Sequence, residues 1–262
     1  MTRSLTSVLA ATDGGPSGRL AVVRAASIAR ETGAALHAVH VVDPGDEPTD
    51  LVTAADRDLA EDELRRHLAR IHPRPELHVG YGATFVEIVQ LARSLDVDLV
   101  VAGAHRSPGV RRFFVGTTAG RLARHGDRPL LLVRRPVRGP YRRVIVGVDA
   151  SLASSDAIVT ARAVAPTATI IPAMIYQVVG ESKLRRVADD TAITELRAQV
   201  VRERGEELAD FLGTYAPDTV TDEPLLEIGD PNERLPELHD ERDSDLIVVG
   251  THARTGVRCT LI

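Results

Sequence analysis

The sequence predicts an α/β protein built from two tandem, doubly wound parallel-sheet domains. Short apolar runs alternate with helical segments along the whole chain. The runs are nearly continuous in Val, Leu and Ala rather than alternating with polar residues, as expected of strands buried on both faces. Two sequence blocks also recur in the same order, which marks a duplication.

The first block, Ser7-Val-Leu-Ala-Ala-Thr-Asp13, returns as Arg143-Val-Ile-Val-Gly-Val-Asp149 at an offset of 136. The second, Asp98-Leu-Val-Val-Ala-Gly-Ala-His-Arg-Ser-Pro-Gly-Val-Arg111, returns at an offset of 147 as the segment Asp245 to Arg258, and Gly82 and Gly229 share that offset. Strands are expected near 6–12, 35–42, 76–80, 98–103 and 129–134, with helices near 16–32, 51–71, 83–95 and 116–126. Strand–helix alternation implies parallel strands joined by right-handed crossovers. Pro136-Val-Arg-Gly-Pro140 disfavours regular structure and reads as the linker. The domains are therefore 1–135 and 142–262, with a linker at 136–141. Strands of the second are expected near 143–149, 167–176, 221–229 and 245–250; the second domain is expected to lack a last helix and strand. The charged stretch 183–213 reads as a solvated helix with ion pairs.

Composition removes several function classes. A net charge of −5 and a pI near 6.0 give no basic field for nucleic acid or anionic membranes, and 3 % aromatics leave no stacking platform for single strands. No stretch reaches the roughly 18 apolar residues of a membrane span, and the N-terminal apolar run is too short for a signal segment. A single cysteine, Cys259, fits a reducing compartment, so a cytoplasmic location is expected. Lys183 is the sole lysine and stands outside any Gly-rich turn, which argues against P-loop, lysine-dependent kinase and Schiff-base chemistry. No metal-ligating set is expected: His37 and His40, three apart on a strand, point to opposite faces, and His67 and His72 have no completing partner.

Ligands of open parallel sheets gather beyond the carboxyl ends of the strands, where strand order reverses. Asp13 ends the first strand there, Val41 and Val42 the second, and Gly103 the fourth. Gly103 opens a loop carrying His105, Arg106, Arg111 and Arg112 and no acid, which runs into Gly116-Thr117-Thr118 at a helix start. Unpaired helical N–H groups, threonine hydroxyls and the positive end of the helix make an anion cradle without a P-loop.

The whole chain resembles a tandem member of the universal stress protein family. That family carries Gly, two residues, Gly, nine residues, then Gly-Ser/Thr; Gly103 and Gly116-Thr117 keep the spacing, while Arg106 replaces the second glycine. The resemblance implies an adenine nucleotide α-hydrolase-like fold with strand order 3-2-1-4-5. It also implies that Asp13 and the backbone at Val41 hold adenosine. Gly103 and the loop with Arg106 would approach ribose and phosphates, and Gly116, Thr117 and Thr118 would take the phosphates. ATP is the expected ligand, with AMP or ADP as alternatives and no protein ligands identified for Mg. An arginine at 106 either crowds the turn or supplies a bidentate guanidinium contact; the surviving spacing favours retained binding. In the second domain Asp149, Ile175 and Gly250 match by position, but Ala253 replaces the second glycine and the Gly-Ser/Thr end is absent, so little nucleotide binding is expected.

Three functions follow as alternatives. The first is a regulatory module that binds ATP without fast hydrolysis, since no general base or metal-ligating acidic pair stands near the loop. The second is a dimeric interaction protein with a degenerate site. The third is an adenylylating enzyme, disfavoured because Asp13 precedes the glycines and Pro16 interrupts the first loop. Family strand order also implies a homodimer through residues 129–134, with no nucleic-acid or membrane partner.

Overall fold

The computed structural model describes residues 4–43, 53–104, 117–178, 190–217, 219–220, 222–251 and 260–261. The chain forms two compact units, one of Met1–Pro140 with Ala163–Pro166 and Thr251–Ile262, the other of Tyr141–Arg162 and Thr167–Gly250.

The first unit contains β1 (Ser7–Thr12), α1 (Pro16–Thr32), β2 (Ala35–Val42), α2 (Ala54–Leu68), β3 (Glu76–Tyr81), α3 (Thr84–Ser94), β4 (Leu99–Gly103), α4 (Thr117–His125) and β5 (Leu130–Val133). Its strands are ordered 3-2-1-4-5 and all pair in parallel. The continuous apolar runs are buried as their composition requires: Val8, Leu9, Ala10, Leu99, Val101, Leu130 and Leu131 are almost wholly inaccessible. Proline at the first turn of α1 starts the helix without losing a hydrogen bond. Beyond it, Ala21, Val22, Ala25, Ala26, Ile28 and Ala29 form a small-residue stripe that lies close against the sheet. On the other face, α3 and α4 cover Leu9, Val39, Val100, Ala102 and Leu132 with Ile88, Val89, Ala119 and Leu122.

The second unit repeats the plan with β6 (Arg143–Val148), α5 (Leu152–Val164), β7 (Thr169–Tyr176), α6 (Asp190–Tyr215), β8 (Leu225–Ile228), α7 (Pro231–Glu241) and β9 (Leu246–Val249), where β6 pairs β7 and β9 and β7 pairs β8, all in parallel. The charged helix α6 is not solvated all round. Ile193, Leu208, Phe211 and Leu212 are buried along it, because an exposed helix of this length still needs an apolar stripe to hold it to the sheet.

A strand the sequence did not predict is β10 (Thr260–Leu261), which lies parallel on β5 with Thr260 opposite Leu130 and Leu261 opposite Leu131. Two residues carry too little hydrophobic pattern to be read as a strand; the open edge of β5 supplies the hydrogen bonds that order them.

The duplication is also legible in one polar device. Asp98 Oδ2 accepts from Thr6 N at 2.8 Å, Thr6 Oγ1 at 2.7 Å and Ser7 N at 3.1 Å, stapling the start of β4 to the start of β1. Asp245 Oδ2 does the same for Arg142 N at 2.7 Å and Arg143 N at 3.1 Å in the second unit. This explains why an aspartate opens both copies of the second block. Replacing Asp98 with Ala strands two backbone donors at the edge of the core and is expected to cost about 2 kcal/mol. In a thermal melt that amounts to a fall of roughly 4–8 °C; an unchanged melt would refute the staple.

Candidate functional site

A cleft of about 240 Å³ opens at the carboxyl ends of β1, β2 and β4, bounded by the first turns of α1, α3 and α4. Asp13, Val41, Gly103 and Thr118 all line it. Strands β1 and β4 are neighbours in the sheet although crossovers leave them on opposite sides, which makes this the switch point of the strand order. Thr117 is the first residue of α4, and no acid lies in that helix's first turn to offset the partial positive charge of its N-terminal end. Arg106, Gly116 and the loop arginines Arg111 and Arg112 lie outside the described residues. Among the described lining residues Asp13 is the one acid, and the floor is apolar, made of Val39, Val41, Ile88, Ala102 and Leu122.

Local geometry explains how the turn after β1 is set. Thr12 Oγ1 accepts from Gly14 N at 3.1 Å and Asp13 Oδ1 from Gly15 N at 2.9 Å, an Asx-type turn that holds the carboxylate at the mouth of the cleft. Two glycines then let α1 approach. At Gly103 a Cβ would sit 2.4 Å from the backbone oxygen of Ser17, so only glycine admits the helix to the end of β4. Gly250 stands in the same relation to the backbone oxygen of Ala153, also at 2.4 Å, which makes the two strand-end glycines structural equivalents.

Sequence reasoning missed the second glycine, Gly18. Its position in the first turns of α1 gives it no motif of its own, yet a Cβ there would lie 2.5 Å from Thr12 Oγ1 and 2.6 Å from Asp13 Oδ1. The repeat offset of 136 places Ser154 at the equivalent point of the second unit. Ser154 Oγ donates to Asp149 Oδ1 at 2.6 Å and accepts from Asp149 N at 2.9 Å, while Ser151 Oγ donates to the same carboxylate oxygen at 2.5 Å. The aspartate that faces a cleft in the first unit is thus tied down by two hydroxyls in the second.

A doubly wound parallel sheet, present here twice, with a cleft at the switch point of the first copy, defines a tandem open-sheet α/β protein. The family model described as "Universal stress protein family" matches residues 5–134 and again 140–262, so the chain belongs to the universal stress protein family, as a two-domain member. Universal stress protein MJ0531 of Methanocaldococcus jannaschii is 27 % identical over 139 residues, covering 48 % of this chain and 79 % of that protein. Universal stress protein G of Shigella flexneri is 36 % identical over 61 residues, 23 % of this chain and 42 % of that one. A putative universal stress protein from Pseudomonas aeruginosa UCBPP-PA14 superposes with a TM-score of 0.65 at 16 % identity, covering 97 % of this chain and 84 % of its own. The universal stress protein from Archaeoglobus fulgidus DSM 4304 gives 0.60 at 15 % identity over 94 % and 86 %. At these identities the solved structures establish the shared fold. No helix among the described residues is long and apolar enough to cross a membrane.

Proposed function

We propose that this chain is a cytoplasmic regulatory module of the stress response that binds ATP, or AMP or ADP, in its first domain and does not turn it over rapidly. The observation that carries this reading is the cleft at the switch point. It joins an apolar floor suited to a purine, a carboxylate at Asp13 suited to a hydroxylated sugar, and the N-terminal end of α4 suited to phosphate. The second domain is proposed not to bind, because Ser154 and Ser151 already occupy the Asp149 carboxylate.

Calorimetric titration of the full chain with ATP is expected to give one site per chain, lost in Thr118→Glu, which sets a negative charge against the phosphates. Two sites would overturn the assignment of the second domain. No heat, with no nucleotide released on denaturing the purified protein, would leave an interaction protein with a degenerate site. For assembly, we propose a homodimer through residues 129–134, in which the same strand of a second chain competes with Thr260–Leu261 for the edge of β5. Light scattering at tens of micromolar tests it, and a monomer there would overturn it.

A further inference from the structure

We infer that His37, His78 and Glu76 form a zinc-type divalent metal site on β2 and β3, separate from the nucleotide cleft. The three side chains share one sheet face, because Glu76 is the register partner of His37 and His78 follows two residues later. His37 Nδ1 lies 3.2 Å from His78 Nε2 and 3.4 Å from Glu76 Oε2, and one ligand atom from each of the three falls within 4.8 Å of the others. Zinc–nitrogen and zinc–oxygen bonds of about 2.0–2.2 Å on a tetrahedron put neighbouring ligand atoms about 3.3 Å apart. Both measured separations sit at that edge length. Two imidazoles and a carboxylate are also a donor set that zinc takes, with the fourth position left to water.

Hydrogen bonding alone accounts poorly for the cluster. His37 Nδ1 carries at most one proton, yet it faces both an imidazole nitrogen and a carboxylate oxygen. If that proton goes to Glu76, Nδ1 has no lone pair left to accept from His78; if His78 donates, the carboxylate faces a lone pair. A cation at the common focus satisfies all three lone pairs together.

The second unit supplies an internal comparison. Strand register aligns Val39–His78 with Ala173–Leu225, so the places of His37 and His78 are taken there by Ile171 and Leu225. Both are buried members of an aliphatic cluster with Ile145 and Leu238. The second unit fills this point with an apolar pair, and the first carries two imidazoles instead, with His37 itself only 8 % exposed. Substituting polar groups into such a place is costly unless they are satisfied. Glu76 is exposed, which gives an ion its path in. His40, on the other face of β2, bonds the backbone oxygen of Thr12 at 3.0 Å and takes no part.

The test is a zinc titration of the full chain, stripped with chelator and free of nucleotide, against the double variant His37→Ile with His78→Leu. That variant installs the pair the second unit already uses, so it is expected to fold with a melting temperature at or above the metal-free wild type. Wild type is expected to bind one zinc that the variant does not, and zinc should raise the melting temperature of wild type alone. Glu76→Gln is expected to weaken binding about tenfold or more, a loss that even outer-shell partners produce. Equal zinc binding by wild type and double variant would overturn the site, as would a wild-type melt indifferent to zinc. A readout that needs no variant is Co²⁺ added to wild type: intense tetrahedral visible absorption supports the site, and weak octahedral bands refute it.

Discussion

An ATP titration of the Gly18→Ser chain is expected to show affinity reduced about 100-fold or more, the equivalent of at least ~2.7 kcal/mol. The effect is large because the glycine is what keeps the mouth of the cleft open. A Cβ at residue 18 falls 2.6 Å from Asp13 Oδ1, 2.5 Å from Thr12 Oγ1 and 2.8 Å from the backbone nitrogen of Asp13, so the carboxylate must turn, the threonine must yield and the end of β1 must shift slightly. A serine hydroxyl then reaches the carboxylate, as Ser154 reaches Asp149 at 2.6 Å in the second domain. The fold should survive, since serine is slightly better than glycine in a helix, by roughly 0.3–0.5 kcal/mol. Thr12→Val combined with Gly18→Ser reproduces the Val148–Ser154 pair that the second domain accommodates, so it serves as the folding control. Unchanged ATP affinity in a folded double variant would remove Gly18 and Asp13 from the site.

Gly103→Ala is expected to produce the largest stability loss of the glycine-to-alanine changes at the described glycines of the first domain. The added carbon meets the backbone oxygen of Ser17 at 2.4 Å and its carbonyl carbon at 2.5 Å. Backbone cannot swing aside as a flexible side chain can, so α1 must lift from β4 along its small-residue stripe. Overpacking of this kind costs about 1–3 kcal/mol or more, a fall in melting temperature of roughly 2–12 °C for a chain of this size. ATP binding should fall with it, because Gly103 also lines the cleft. Gly250→Ala separates the two effects: its contact with the backbone oxygen of Ala153 is equally short, yet it lies in the domain proposed not to bind. It should destabilise comparably and leave ATP affinity intact. A Gly103→Ala chain with unchanged melt would show that α1 packs less closely on β4 than the structure has it.

Much of this protein was written in local sequence. Continuous Val, Leu and Ala runs gave the parallel strands, because burial on both faces leaves no polar alternation to read. Paired blocks at Asp13 and Asp149, and at Asp98 and Asp245, gave the duplication, since each aspartate answers a purely local need: closing a turn or satisfying the first donors of a strand. Asp13, Val41, Gly103 and Thr118 could be placed at one cleft because ligands of open sheets gather where strand ends and helix starts meet, and those ends are marked in the chain.

What required the tertiary structure was every relation between residues distant in sequence and ordinary in type. Gly18 looks like any helical glycine until α1 is seen against the end of β1. The pairing of Thr260–Leu261 with β5 depends on an open edge, not on two residues of pattern. His37 and His78 stand 41 positions apart, and only the register of β3 on β2 brings their nitrogens to 3.2 Å. Sequence spacing reports what one strand or helix presents on its own face; which faces meet is settled by packing, where burial and backbone hydrogen bonding fix the register.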